Sequence, residues 1–125
     1  MLEKTTKTQH LNIGRYGEDM ACAFLKRRFY KIIERNTKLG YKEIDIIAKK
    51  GSLYVFVEVK TLMENKYLVA EDMINSKKIA NLKQFLLNYI NIHQISLRNT
   101  RIDFMAVNIE KNNNKLRIKH YKNIA

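Results

Sequence analysis

Glu43-Ile44-Asp45-Ile46-Ile47-Ala48-Lys49-Lys50-Gly51-Ser52-Leu53-Tyr54-Val55-Phe56-Val57-Glu58-Val59-Lys60 reads as two β-strands joined by a tight turn. Residues 43–48 and 53–60 are rich in β-branched and aromatic side chains, and a short polar stretch with glycine separates them. With Gly51-Ser52 as a two-residue loop and glycine first, the turn suits type II′. Side chains alternate across a strand. Glu43 and Asp45 therefore share one face of the first strand, and Glu58 and Lys60 share one face of the second. Ile44, Ile46, Val57 and Val59 fill the other face and require a core. This register sets Asp45 opposite Glu58 and Glu43 opposite Lys60, with facing Cβ atoms about 4.5–5.5 Å apart. Two carboxylates that close repel each other unless a cation lies between them. A hard divalent cation with oxygen ligands, Mg2+ or Mn2+, suits that donor set.

The pattern around this hairpin completes a layered domain. Upstream, Ile13 to Phe29 reads as a helix capped by Asn12, with Ile13, Tyr16, Met20, Ala23 and Phe24 as its buried stripe. Gly17 on that stripe lets a backbone or a ligand come close. Residues 1–12 read as a flexible segment ahead of a single domain, 13–125. Lys31 to Leu39 reads as a strand with Ile32 and Ile33 inward, turning at Gly40. Downstream, a second helix is expected from Glu71 to Ile92, acidic in its first turn and carrying Ile74, Lys78, Leu82, Phe85, Tyr89 and Ile92 on one face. Arg101–Ile109 and Leu116–Tyr121 alternate as two last strands. Helix, three strands, helix, two strands gives an α/β fold, a mixed central sheet flanked by helices.

Composition narrows the partners. A chain of 125 residues, 46% hydrophobic, has one domain's worth of core. No apolar run approaches the ~18 residues needed to cross a membrane. The single cysteine, Cys22, excludes an internal disulfide, suits core filling, and with the polar N-terminus points to a cytoplasmic protein. Lys and Arg outnumber Asp and Glu 24 to 12, a net charge of +12. That excess favours nucleic acid, whose phosphates release counterions on binding. A Lys-rich surface with no such partner is the bland alternative.

Phosphodiester hydrolysis needs an activated water and stabilised charge on phosphate and leaving group. A cation on Asp45 and Glu58, with the Val59 backbone carbonyl as a further ligand, supplies both. Lys60 reaches the attacking water or a phosphate oxygen as a point charge, and Glu18 on the first helix is the candidate third acid. Carboxylates alternating with lysine on an exposed strand are equally an ordinary salt-bridged surface. Glu43 is either a second metal ligand or a partner of Lys60. Asp103 is either a supporting acid behind the site or a strand-edge ion pair. Lys26, Arg27 and Arg28 track phosphates or end a helix, and Lys115, Arg117 and Lys119 form a basic stripe on the last strand. His10, His93 and His120 lack metal-ligand spacing and read as surface or helix-end residues.

Gly14-x-x-Gly17-Glu18 with Ala21 and Leu25, then Asn36, then Glu43-Ile44-Asp45-Ile46-Ile47-Ala48, then Val55-Phe56-Val57-Glu58-Val59-Lys60-Thr61 resembles the bacterial YraN family. Ala70, Ile74, Lys78, Leu82 and Arg101-Ile102-Asp103-Phe104 extend the likeness across residues 13–109. That family is similar to archaeal Holliday-junction resolvases and belongs with the PD-(D/E)xK nucleases of restriction-endonuclease-like, three-layer fold. The resemblance implies metal on Asp45 and Glu58, Lys60 as the active-site lysine, Glu18 as the helix acid, and Lys78, with Lys77, on a DNA phosphate. It implies an endonuclease acting on DNA, branched DNA included, and a homodimer, since two opposed strands need two sites. The chain departs from the family at Lys42, where glycine usually precedes the Glu-Ile-Asp. That change adds bulk and charge at the site's edge. It keeps open a second reading, a non-catalytic nucleic-acid-binding module on the same fold.

Overall fold

In the computed structural model, helix α1 (Thr6–Arg27) leads into strands β1 (Lys31–Leu39), β2 (Lys42–Lys50) and β3 (Leu53–Met63). Helix α2 (Ser76–His93), a 3-10 turn at Leu97–Asn99, and strands β4 (Thr100–Ile109) and β5 (Leu116–Tyr121) follow. The structure describes residues 6–63, 74–110, 113 and 115–125, and side chains from residue 13 onward. The five strands form one sheet in the order β1-β2-β3-β4-β5. β3 and β4 run parallel; the other neighbours are antiparallel. A parallel pair needs a crossover connection, and α2 lies within it.

The helices cover opposite faces. Ala21, Cys22 and Leu25 of α1 pack on Ile46, Ala48, Val55 and Val57. Leu82, Phe85, Leu86 and Tyr89 of α2 pack on Ile47, Phe56 and Ile102. This helix–sheet–helix sandwich is the mixed α/β arrangement the sequence implies, and it is consistent with a restriction-endonuclease-like fold. No helix among the described residues is long and apolar enough to cross a membrane.

The hairpin keeps the expected register, from Lys50 opposite Leu53 to Ile46 opposite Val57. Gly51 has φ +61 and Ser52 is not left-handed, as a type II′ turn requires. Strict alternation fails at Asp45. Ile46 and Val57 face α1, but Ile44 joins Ile47 and Phe56 on the α2 side. Across from Asp45, between the Arg35–Ile46 and Thr37–Ile44 pairs, Asn36 is left-handed with φ +50. Asn tolerates that conformation better than most residues. The strand therefore kinks at the acid.

Other boundaries shift for identifiable reasons. Residues 6–12, expected to be a flexible segment, continue α1, and Asn12 lies inside the helix instead of capping it. No Pro or Gly interrupts 6–12, and extending a formed helix costs little. The buried stripe of α1 keeps Gly17 but centres on Ala21, Cys22 and Leu25, with Met20 and Phe24 packed at its border, whereas Tyr16 is 46% exposed. A Cβ on Gly17 would stand 1.9 Å from Thr61 Oγ1, so only glycine allows this approach of α1 to β3. Helix α2 starts at Ser76, where the Asn75 side chain accepts the Lys78 N–H at 2.8 Å as an N-cap. The Glu71 start expected from sequence lies outside the described residues. Ile33 sits at a β-bulge between Ile32 and Glu34 and is exposed, because consecutive residues cannot both point inward.

Candidate active site

Asp45 and Glu58 come together as expected, at the point where the β2–β3 ladder opens. Beyond the Ile46–Val57 pair, Asp45 Oδ2 accepts the Val59 N–H at 2.7 Å in place of a backbone carbonyl. Both acids line a recess of about 280 Å3 with Lys42, Glu43, Lys78 and Asn81. Burial, then the charge of Glu58, push the Asp45 carboxyl up from its ordinary 3.8 to about 7. The Val59 N–H and the Lys78 ammonium pull the other way and are outweighed; Glu18 adds a smaller upward push. Near neutrality this carboxyl is poised to hold or release a proton.

A cation already meets Glu58. Lys78 Nζ lies 2.5 Å from Glu58 Oε2. Lys78 was expected to face phosphate, but the first turn of α2 lies over the β3 acid and delivers the ammonium to it. Lys77, one residue earlier, is exposed.

Glu18 lies on the α1 side. Its carboxylate is 3.6 Å from the Arg35 guanidinium, whose closer partner is Asp19 at 2.7 Å. Arg35 was not foreseen; a lone arginine in a half-exposed strand gives no sequence signal. Lys60 is exposed two residues beyond Glu58, and Glu43 is also exposed. The expected Glu43–Lys60 cross-strand pair lies beyond the observed ladder, since the Asp45 side chain wedges the strands apart.

Two expectations need correction. Asp103 is no strand-edge ion pair: β4 is an inner strand and Asp103 is fully buried. Nor does it back the acids, since it belongs to a separate cluster. Arg101 Nε and one terminal guanidinium nitrogen donate to its two oxygens, each at 2.8 Å. His120 Nε2 lies at 2.7 Å and the Asn123 N–H at 2.9 Å. Burial alone would raise the Asp103 pKa, but these bonds hold it below the ordinary carboxylate value. His120 is likewise no surface histidine. It is 6% exposed, edge-on to Phe24 and Tyr30.

Lys26, Arg27 and Arg28 do not gather at the acids. They are exposed at the far end of α1, where the Arg28 guanidinium stacks 3.6 Å from the Phe24 ring centre.

Among the described residues no group of three or more His, Cys, Asp or Glu side chains stands ready for a metal. The donor set here is two carboxylates, all oxygen, with the Asp45 carboxyl pushed up by burial and by the neighbouring Glu58 charge. That chemistry fits a hard divalent cation.

Known proteins resemble this chain over most of its length. Residues 17–107 match the family described as Uncharacterised protein family UPF0102. A UPF0102 protein of Syntrophus aciditrophicus is 36% identical over 82% of this chain and 81% of its own length. One from Carboxydothermus hydrogenoformans is 32% identical over 90% of this chain and 93% of its own. Among solved structures, Pyrococcus furiosus SfsA in complex with Ca2+ is 13% identical, with a TM-score of 0.39. It matches over 90% of this chain, which spans 63% of SfsA, and so distant a likeness carries no argument. The matched segment holds the kinked Asp45 strand, Glu58 and the Gly17–Thr61 contact, and this chain belongs to the UPF0102 family, the YraN family its motifs resemble.

Proposed function

We propose that the protein is a metal-dependent endonuclease that hydrolyses phosphodiester bonds in DNA. The observation that carries this reading is the convergence of Asp45 and Glu58 in one open recess rimmed by Lys42 and Lys78, with Asp45 fixed by the Val59 N–H. Two such carboxylates would hold Mg2+ or Mn2+. In an antiparallel pair a residue's N–H and C=O face the same neighbour, so the Val59 carbonyl lies on the Asp45 side and is a further oxygen for the ion. When bound, the ion polarises the phosphate and lowers the pKa of its water.

The remaining work falls to the chain's own groups. Glu58 orients Lys78 at the mouth of the recess, and an ammonium freed from Glu58 is a partner for a phosphate oxygen. Lys60, exposed on the same strand, presents a second ammonium to the scissile phosphate. Lys42 adds positive charge at the rim. Glu18 reaches Asp45 only through its field, which favours a positioning role. Action on branched DNA and a homodimer remain part of this proposal, on the strength of the resemblance to resolvases.

The test is cleavage of linear, flapped and four-way DNA with Mg2+, with Mn2+ and with chelator. Cuts that need metal and vanish in Asp45→Ala and Glu58→Ala are expected. A second reading, a binding module without cleavage, is favoured by the Lys78–Glu58 pair, which neutralises an acid without metal. It predicts binding that neither substitution changes and no cutting under any condition.

A further inference from the structure

Helix α1 ends in a Schellman motif. The Tyr30 N–H returns to the Leu25 carbonyl and the Phe29 N–H to the Lys26 carbonyl, both at 3.0 Å. Phe29 holds the left-handed position with φ +69. Glycine is the usual residue there, and a bulky one is strained. Phe29 is also 85% exposed. A phenyl ring both strained and bare has no folding reason to be there. Such outliers persist where function uses them.

Phe29 borders a cavity of about 660 Å3 on the α2 side of the sheet. Tyr54 and the tilted Tyr89–His93 pair, ring centres 4.1 Å apart, also line it. Lys31 and Lys49 stand at its rim as direct cross-strand partners in β1 and β2. Lys49 Nζ lies 4.9 Å over the Tyr54 ring; like charges in cross-strand positions repel, and an anion at the rim would relieve the pair. Lys26, Arg27 and Arg28 add positive charge just before Phe29. Glu34, the carboxylate in the lining, is engaged by the Tyr89 hydroxyl at 2.6 Å.

Aromatic faces for stacking beside a basic track are the elements of a single-strand site. We infer that this cavity binds an unstacked nucleobase of single-stranded nucleic acid, with Phe29 as the stacking platform and Lys31 and Lys49 on the adjoining phosphate. Lys49 is four residues from Asp45 along β2, about 13 Å at ~3.3 Å per residue. The cavity would then set where an unpaired strand lies relative to the cut. This inference rests on the nucleic-acid part of the proposed function and not on cleavage.

The experiment measures fluorescence anisotropy of labelled dT12, rU12 and a blunt duplex in chelator, with wild type, Phe29→Gly, Lys31→Ala and Lys49→Ala. Phe29→Gly suits the backbone, so its melting temperature should equal or exceed wild type. Its affinity for a single strand should fall about five- to 150-fold, the range for one lost base–aromatic stack, with duplex affinity unchanged. A loss on dT12 alone, on rU12 alone or on both supports the site and tells which sugar it accepts. Each lysine variant should lower the slope of log affinity against log salt by about 0.7. Unchanged single-strand affinity in Phe29→Gly overturns the inference, as does an equal loss on blunt duplex. Because no metal is present, these outcomes are independent of whether the acids cut.

Discussion

Replacing Asp45 with Asn should make the protein more stable at pH 8 while removing the proposed metal-dependent cleavage. The carboxyl is raised from 3.8 to about 7, first by burial and then by Glu58. Between those two pH values the folded chain holds a proton that the unfolded chain has released. Stability therefore falls as pH rises from about 4 to 7, and the full penalty is present above 7. About three pH units at 1.36 kcal/mol each give about 4 kcal/mol as the upper figure. Asparagine keeps the acceptor for the Val59 N–H and carries no charge, so it escapes the penalty. A gain of about 2–4 kcal/mol is expected at pH 8, or roughly 6–15 °C in melting temperature for a chain of this size. At pH 4 the two proteins should differ little. Urea unfolding at both pH values measures the difference, and subtracting wild type from variant cancels other titrating groups. Adding Mg2+ at pH 8 should stabilise wild type alone and narrow the gap. An Asp45→Asn protein no more stable than wild type at pH 8 would refute the reasoning, because Asp45 would then carry no buried, uncompensated charge.

Glu58→Ala should abolish metal-dependent cleavage. It should cost under about 1 kcal/mol through the lost Lys78 pair, since that lysine is 44% exposed; chemical denaturation and the cleavage assay read the two effects separately. Gly17→Ala should destabilise by about 1–3 kcal/mol, because its Cβ would collide with Thr61. A melting temperature within error of wild type would show that α1 can lift off β3 freely. Asp103→Ala should cost about 3–5 kcal/mol, as it strands the Arg101 charge and a buried His120. Because the folded Asp103 pKa is depressed, its contribution is full above about pH 4 and lost as pH falls through the folded value. The acid limb of the wild-type stability curve should therefore be shallower in Asp103→Asn.

Much of the fold could be read from local pattern. The hairpin register, the type II′ turn and all five strands follow from alternation and from Gly51, which are short-range properties. Asp45 and Glu58 were legible for the same reason, being held by one turn. What sequence hid was set by tertiary contact. The close approach at Gly17 and the core role of Cys22 were legible, yet a stripe judged by side-chain size points to Tyr16, which is exposed, because the contact with Thr61 turns the small residues Gly17, Ala21 and Cys22 inward. Lys78 meets Glu58 only because Asn75 fixes where α2 begins. The Asp103 cluster adds His120 and, through Arg101, Tyr30 from distant parts of the chain, so each residue alone looks like surface. The kink at Asp45 depends on a left-handed Asn36 in the neighbouring strand, which no alternation rule anticipates.

The split in the sheet has a kinetic consequence. β1, β2 and β3 are neighbours in sequence and pair through short turns, whereas Tyr54 meets Thr100 only across the α2 crossover. Closing the shorter loops costs less chain entropy. The meander is therefore the natural folding nucleus, and docking of β4 is the late event. Asp45 and Glu58 both lie inside that nucleus. The chain must bring its two repelling carboxylates together before most of its core exists to hold them. Relief of that repulsion then acts on the transition state and shows as faster refolding, whereas the larger burial part of the Asp45 penalty arises as the core closes and shows in the unfolding rate.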